Sequence, residues 1–120
     1  MLRQSQFSQI IPPGIYNARK GEQCGPQGWY GEETLDVEAV HATAPAAEIL
    51  YVGAQSCQNS DILAAVNSIV DNHLADEVSN SYGNVGEQFG PGEHQTYPQA
   101  AAEGISMIFS SGDSGDEIAN

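Results

Sequence analysis

Two acids of this chain stand four apart, Glu32 and Asp36, in the run Gly31-Glu32-Glu33-Thr34-Leu35-Asp36-Val37-Glu38-Ala39-Val40-His41-Ala42-Thr43-Ala44. The run has helix composition and Pro45 stops it. At about 100° per residue, Glu32, Thr43 and Asp36 fall within about 40° of one another. Leu35, Ala39 and Ala42 flank them on one side and Val40, Ala44 and Val37 on the other. Thr34, His41 and Glu38 make the expected solvent face. Two carboxylates one turn apart would then lie inside an apolar face, where charge is expensive and where paired acids can share a proton. The plainer alternative is that acids at a helix start only complement its dipole. Glu33 is read in that way.

The elements that must position these acids follow in order. Residues 1–30 are rich in Gln, Gly and Pro and read as an irregular segment, with a short apolar anchor at 7–11. Residues 31–120 read as one domain. After the helix, Glu48-Ile49-Leu50-Tyr51-Val52 is a strand of the kind buried on both faces of a parallel sheet. Ser60 serves as N-cap to a helix with Ile62, Leu63, Val66, Ile69, Val70 and Leu74 at helical spacing. Val78–Tyr82 is a strand, 84–92 a Gly-rich loop, and 93–103 a helix closed by Gly104. Residues 105–109 form a further strand that runs into Ser110-Ser111-Gly112-Asp113-Ser114-Gly115. Helix followed by β-α-β-α-β predicts an α/β fold, a doubly wound and mostly parallel sheet with helices on both faces.

Composition removes several functions. Three Lys+Arg against sixteen Asp+Glu give a formal net charge of −13. So few cations leave almost nothing to place on phosphates, which argues against nucleic acid or an anionic membrane as partner. No apolar run approaches the length of about 20 residues that crosses a bilayer. His41, His73 and His94 are scattered, and the two cysteines form no CxxC, so no metal site is expected.

Ligands of open α/β sheets bind beyond the carboxyl ends of the strands. Three loops are expected there, after Gly53, after Gly83 and over Ser110–Gly115. A helix joined to the first strand by a short turn runs antiparallel to it, which brings Glu32 and Asp36 to the same rim. Cys57, just past that strand, and Cys24, just before that helix, land there too. Either they form one bridge or they are two thiols, and the shared rim favours the bridge.

The chain resembles the sedolisins, the serine-carboxyl peptidases with a subtilisin-like fold. The resemblance is carried in order by Gly31-Glu32-Glu33-Thr34-Leu35-Asp36-Val37-Glu38, Ala44-Pro45-Ala46-Ala47, Ser79-Asn80-Ser81-Tyr82-Gly83 and Ser111-Gly112-Asp113-Ser114-Gly115. It implies a secreted endopeptidase, monomeric and active in acid on unfolded polypeptides. It implies that Glu32 is the general base, that Asp36 orients it, and that Asp113 stabilises the oxyanion. Ser81, Tyr82 and Gly83 would bind substrate, with Tyr82 in the place of a frequent tryptophan. A carboxylate base remains usable in acid, where a histidine is already protonated, and a neutral carboxylic acid can donate to an oxyanion.

The departures are as informative. The family's nucleophile lies in a Gly-Thr-Ser segment followed by calcium ligands, and this sequence has no Gly-Thr-Ser. The family's first strand and propeptide are not recognised in it either. The expectation is therefore an internal piece of the catalytic domain, inactive alone, with no cofactor of its own and with calcium belonging to the complete domain. Gly112-Asp113-Ser114-Gly115 also looks like the nucleophile turn of trypsin-like enzymes. Those are β-barrels with an upstream Ala-His-Cys, which this sequence lacks. A second reading is a non-catalytic acidic α/β module that binds protein or calcium through Asp113, Asp116 and Glu117.

Overall fold

The computed structural model describes residues 3–11, 26–83, 90–113 and 115. The Gly-rich loop at 84–89, Cys24, Ser114, Asp116 and Glu117 lie outside the described residues. The chain divides into two units, Met1–Ile69 and Val70–Asn120. The described part is a small α/β protein of three helices and two parallel two-stranded sheets.

In the first unit a 3-10 turn at Gln4–Gln6 leads into β1 (Phe7–Ile10), followed by α1 (Pro26–Thr43) and β2 (Ile49–Val52). The segment 1–30 is thus not irregular throughout. Phe7–Ile10 is a strand, paired parallel with β2 from Phe7 opposite Ile49 to Ile10 opposite Val52. The Gly53 amide extends the ladder by donating to the Ile10 carbonyl at 2.9 Å. Helix α1 begins five residues before the expected Gly31, because Pro26 starts it. A proline suits the first helical position, where no amide partner is needed and its φ is already set.

One buried side chain secures the turn between α1 and β2. The Gln6 amide, 6% exposed, donates to the carbonyls of Pro45 at 2.9 Å and Ala47 at 3.3 Å. Its Oε1 accepts from Arg3 Nε at 3.0 Å. A polar group so enclosed is tolerated because it is bonded on both ends.

Helix α2 (Asn59–Asp71) starts one residue before the expected cap. Its entry is organised by Ser56, whose buried hydroxyl donates to the Asp61 carboxylate and accepts from the Gln58 amide at 3.2 Å. Val66, Ile69 and Val70 are its buried residues, as the helical period requires. The helix ends before Leu74, at a turn where His73 takes φ 46°.

The second unit holds β3 (Glu77–Asn80), α3 (Glu93–Glu103) and β4 (Ser106–Phe109). Strands β3 and β4 pair parallel, Glu77 opposite Ser106 through Asn80 opposite Phe109. The expected strand at 78–82 ends two residues early, so Ser81–Gly83 follow it rather than belong to it. Gly104 closes α3 at φ 80°, a left-handed turn natural to glycine, and the Ile105 amide bonds the Ala100 carbonyl at 2.8 Å. Val78, Ala100 and Ile105 form the buried apolar centre. Asn80 is buried among them, and its amide donates to the Ile108 carbonyl at 3.1 Å and the Val78 carbonyl at 3.3 Å.

Candidate functional site

The early start of α1 changes how its acids are read. No acid lies in the first turn, so Glu32 and Glu33 are not placed to complement the exposed amides of the helix start. Glu32 and Asp36 are half-buried, one turn apart. The buried side is turned relative to the one expected. Trp29, Val37, Val40 and His41 share the half-buried stripe, whereas Leu35 is 58% exposed and Ala39, Ala42 and Thr43 face solvent. The two acids therefore border the stripe instead of lying in its middle. His41, expected in solvent, is half-buried, and its Nδ1 has no hydrogen-bond partner among the described residues.

A bond that periodicity does not show joins this helix to the strand. The Tyr51 hydroxyl donates to Glu33 Oε1 at 2.7 Å, tying the second turn of α1 to the penultimate residue of β2. Glu33, read from sequence as an ordinary dipole residue, is an exposed side chain that reaches the strand through this bond. This contact near the carboxyl end of β2 fits the antiparallel course expected for α1, and Glu32 and Asp36 lie beside it on the helix. Cys57 follows β2 and is disulfide-bonded.

In the second unit two features follow the carboxyl ends of neighbouring parallel strands. After β3 come Ser81 and Tyr82, both half-buried, and Gly83, which is exposed. After β4 comes Asp113, exposed, beside Gly112 at φ 85° and two residues before Gly115 at φ 77°. Only glycine enters that region without strain, so the two glycines shape the turn that carries Asp113. The Tyr82 hydroxyl donates to Asn80 Oδ1 at 2.5 Å. Burial, then the neighbouring Tyr97 and the Glu93 charge, push this phenol well above its ordinary range. Tyr97 meets Phe109 edge-on with ring centroids 5.3 Å apart.

The opposite, amino end of this strand pair carries a second polar group that sequence reading passed over. His73 lies 3.7 Å from a Glu103 oxygen and 3.9 Å from an Asp76 oxygen. Gln99 bridges Asp71 at 3.2 Å and Glu103 at 3.0 Å. Among the described residues, no three His, Cys, Asp or Glu side chains form a group able to hold a metal ion. No described helix is long and apolar enough to cross a membrane.

No protein-family model, no curated protein and no solved structure matches the chain.

Proposed function

We propose that the chain is part of a secreted serine-carboxyl endopeptidase of the sedolisin type, built on a doubly wound subtilisin-like sheet and acting in acid on unfolded polypeptides. The observation that carries this reading is the placement of Glu32 and Asp36. Both are half-buried, beyond the first turn of α1, beside a residue bonded near the carboxyl end of a parallel strand.

In this reading Glu32 takes the proton of a serine hydroxyl supplied by a Gly-Thr-Ser segment as the oxygen attacks the scissile carbonyl. Asp36, one turn on, holds the Glu32 carboxyl and takes a share of that proton. Asp113 stabilises the oxyanion. Glu32 then returns its proton to the leaving amine, and water repeats the sequence on the acyl-enzyme. Ser81, Tyr82 and Gly83 hold the substrate backbone, with the Tyr82 ring fixed by its bond to Asn80. Calcium belongs to the complete domain, and no step passes through it.

Substrate engagement is testable on the chain itself. A reduced and alkylated unfolded protein is titrated into the labelled chain in mild acid and followed residue by residue by NMR. The amides of Ser81, Tyr82, Gly83 and Asp113 should shift together and saturate. Unchanged signals at these four positions at saturating polypeptide would overturn the assignment of the strand end as a substrate site.

A further inference from the structure

We propose that Tyr51 and Glu33 form a positioning clamp that sets the rotation of α1 on β2, and so presents Glu32 and Asp36 at the strand end. The inference rests on reading those two acids as the working pair, but the clamp itself can be tested apart from it.

The clamp is needed because apolar packing defines the rotation of α1 weakly. No described α1 side chain from Trp29 onward is fully buried. Leu35, its largest aliphatic side chain, is 58% exposed, and the alanines at 39 and 42 face solvent. A helix whose half-buried stripe holds Trp29, two valines and His41, bordered by two acids and with none of them fully buried, has limited apolar contrast to fix which way it faces. A hydrogen bond has direction, and the 2.7 Å bond from the Tyr51 hydroxyl to Glu33 Oε1 supplies it. Glu33 adjoins Glu32 and lies three residues from Asp36, so fixing Glu33 fixes the arc on which both acids sit.

Gly53 completes the device. Residues 51 and 53 point to the same side of the strand, and a Cβ built at Gly53 would lie 3.3 Å from Tyr51 Cε1 and 3.7 Å from its hydroxyl oxygen. The ring therefore passes close over a position with no side chain, with its hydroxyl directed to the helix. A Cβ there would be tight against the ring, which would have to give by a few tenths of an ångström.

The test uses the full 120-residue chain, with Tyr51→Phe, Glu33→Ala, the double variant and Glu33→Gln. The orientation of α1 relative to β1 and β2 is read from residual dipolar couplings, and the protection of its amides from hydrogen exchange. Loss of a hydrogen bond to a charged but exposed acceptor should raise α1 exchange about tenfold in Tyr51→Phe and in Glu33→Ala. The double variant should be no worse than either single one, because both remove the same bond. Glu33→Gln keeps an acceptor oxygen and should hold the native orientation and exchange within about twofold. Native couplings and exchange in both Tyr51→Phe and Glu33→Ala, or multiplying effects in the double variant, would overturn the clamp. Should Tyr51→Phe fail to fold, Glu33→Ala carries the test, since it alters only an exposed helical side chain. None of these readouts depends on Glu32 or Asp36 performing chemistry. A failed hydrolysis assay therefore sinks the peptidase reading alone.

Discussion

Replacing Asn80 by leucine keeps the approximate size of the side chain and removes all of its hydrogen bonding. Asn80 is 3% exposed, and three bonds meet on its carboxamide. Its nitrogen donates to the Ile108 carbonyl at 3.1 Å and, less well, to the Val78 carbonyl at 3.3 Å. Its oxygen accepts from the Tyr82 hydroxyl at 2.5 Å. The leucine leaves the Tyr82 hydroxyl and the Ile108 carbonyl without that partner, and each such group costs about 1–3 kcal/mol when water cannot replace it. Gained apolar burial offsets part of this, by about 1 kcal/mol for the replaced polar atoms. The net expectation is a loss of about 1–5 kcal/mol. Urea unfolding measures it, with the slope against denaturant unchanged if the fold is kept. Tyr82 should also lose its fixed ring position, seen as broadened or averaged ring resonances. A midpoint shift worth less than about 0.5 kcal/mol would refute the reasoning, because it would mean that the carboxamide is not the tie between β3, β4 and Tyr82.

Two further outcomes follow from the same physics. The Tyr82 phenol is held neutral above its ordinary value of 10.0, first by burial and then by Tyr97 and Glu93. A raised folded value means that the stabilisation is complete below the unfolded value and is lost as pH rises through the folded one. Absorbance near 295 nm should thus show one of the five tyrosines lagging in alkali, and Glu93→Gln should bring it partly back toward the ordinary range. Cys57 is disulfide-bonded, and Cys24 is its expected partner. Peptide mapping of the unreduced chain should find that bridge, and reduction should lower stability by about 3–4 kcal/mol for a loop of this size.

How far the sequence could be read depended on how strongly each element is marked. Helix α3 was legible from Glu93 to Gly104 because its end depends on one glycine, which takes φ 80° as a C-cap should. Helix α2 was legible in its buried residues, since Val66, Ile69 and Val70 contrast sharply with the polar positions between them. The β2 and β4 strands announced themselves as short apolar runs. Pro26 and Gly28, by contrast, read as breakers, although a proline also opens a helix and a glycine costs a helix only about 1 kcal/mol. Strand β1 is four residues of mixed polarity, and its pairing with β2 comes from backbone bonds and from Gln6, a side chain with no periodic signal.

The candidate site was legible in its residues and not in its orientation. Glu32 and Asp36 were singled out by their spacing, and both are half-buried. The helical wheel nonetheless centres on the wrong side, because Leu35, Ala39 and Ala42 count as apolar there and are exposed in the structure, whereas His41 counts as polar and is half-buried. A polar pair between residues 33 and 51 leaves no trace in either local pattern, so periodicity does not single out Glu33. The strand that precedes Tyr82 ends at Asn80, two residues sooner than the expected Val78–Tyr82, so Ser81–Gly83 follow it.

The central claim is that Glu32 and Asp113 perform base and oxyanion chemistry for a serine supplied by a Gly-Thr-Ser segment. The direct measurement replaces the matching stretch of an active serine-carboxyl peptidase with residues 28–118 of this chain and follows hydrolysis of an unfolded protein in acid. The account predicts turnover by the chimera and none by the 120-residue chain alone. Glu32→Gln and Asp113→Asn should each lower the chimera's kcat by about a hundredfold or more, with circular dichroism unchanged. A folded chimera that hydrolyses nothing, or one whose rate survives both substitutions, would contradict it.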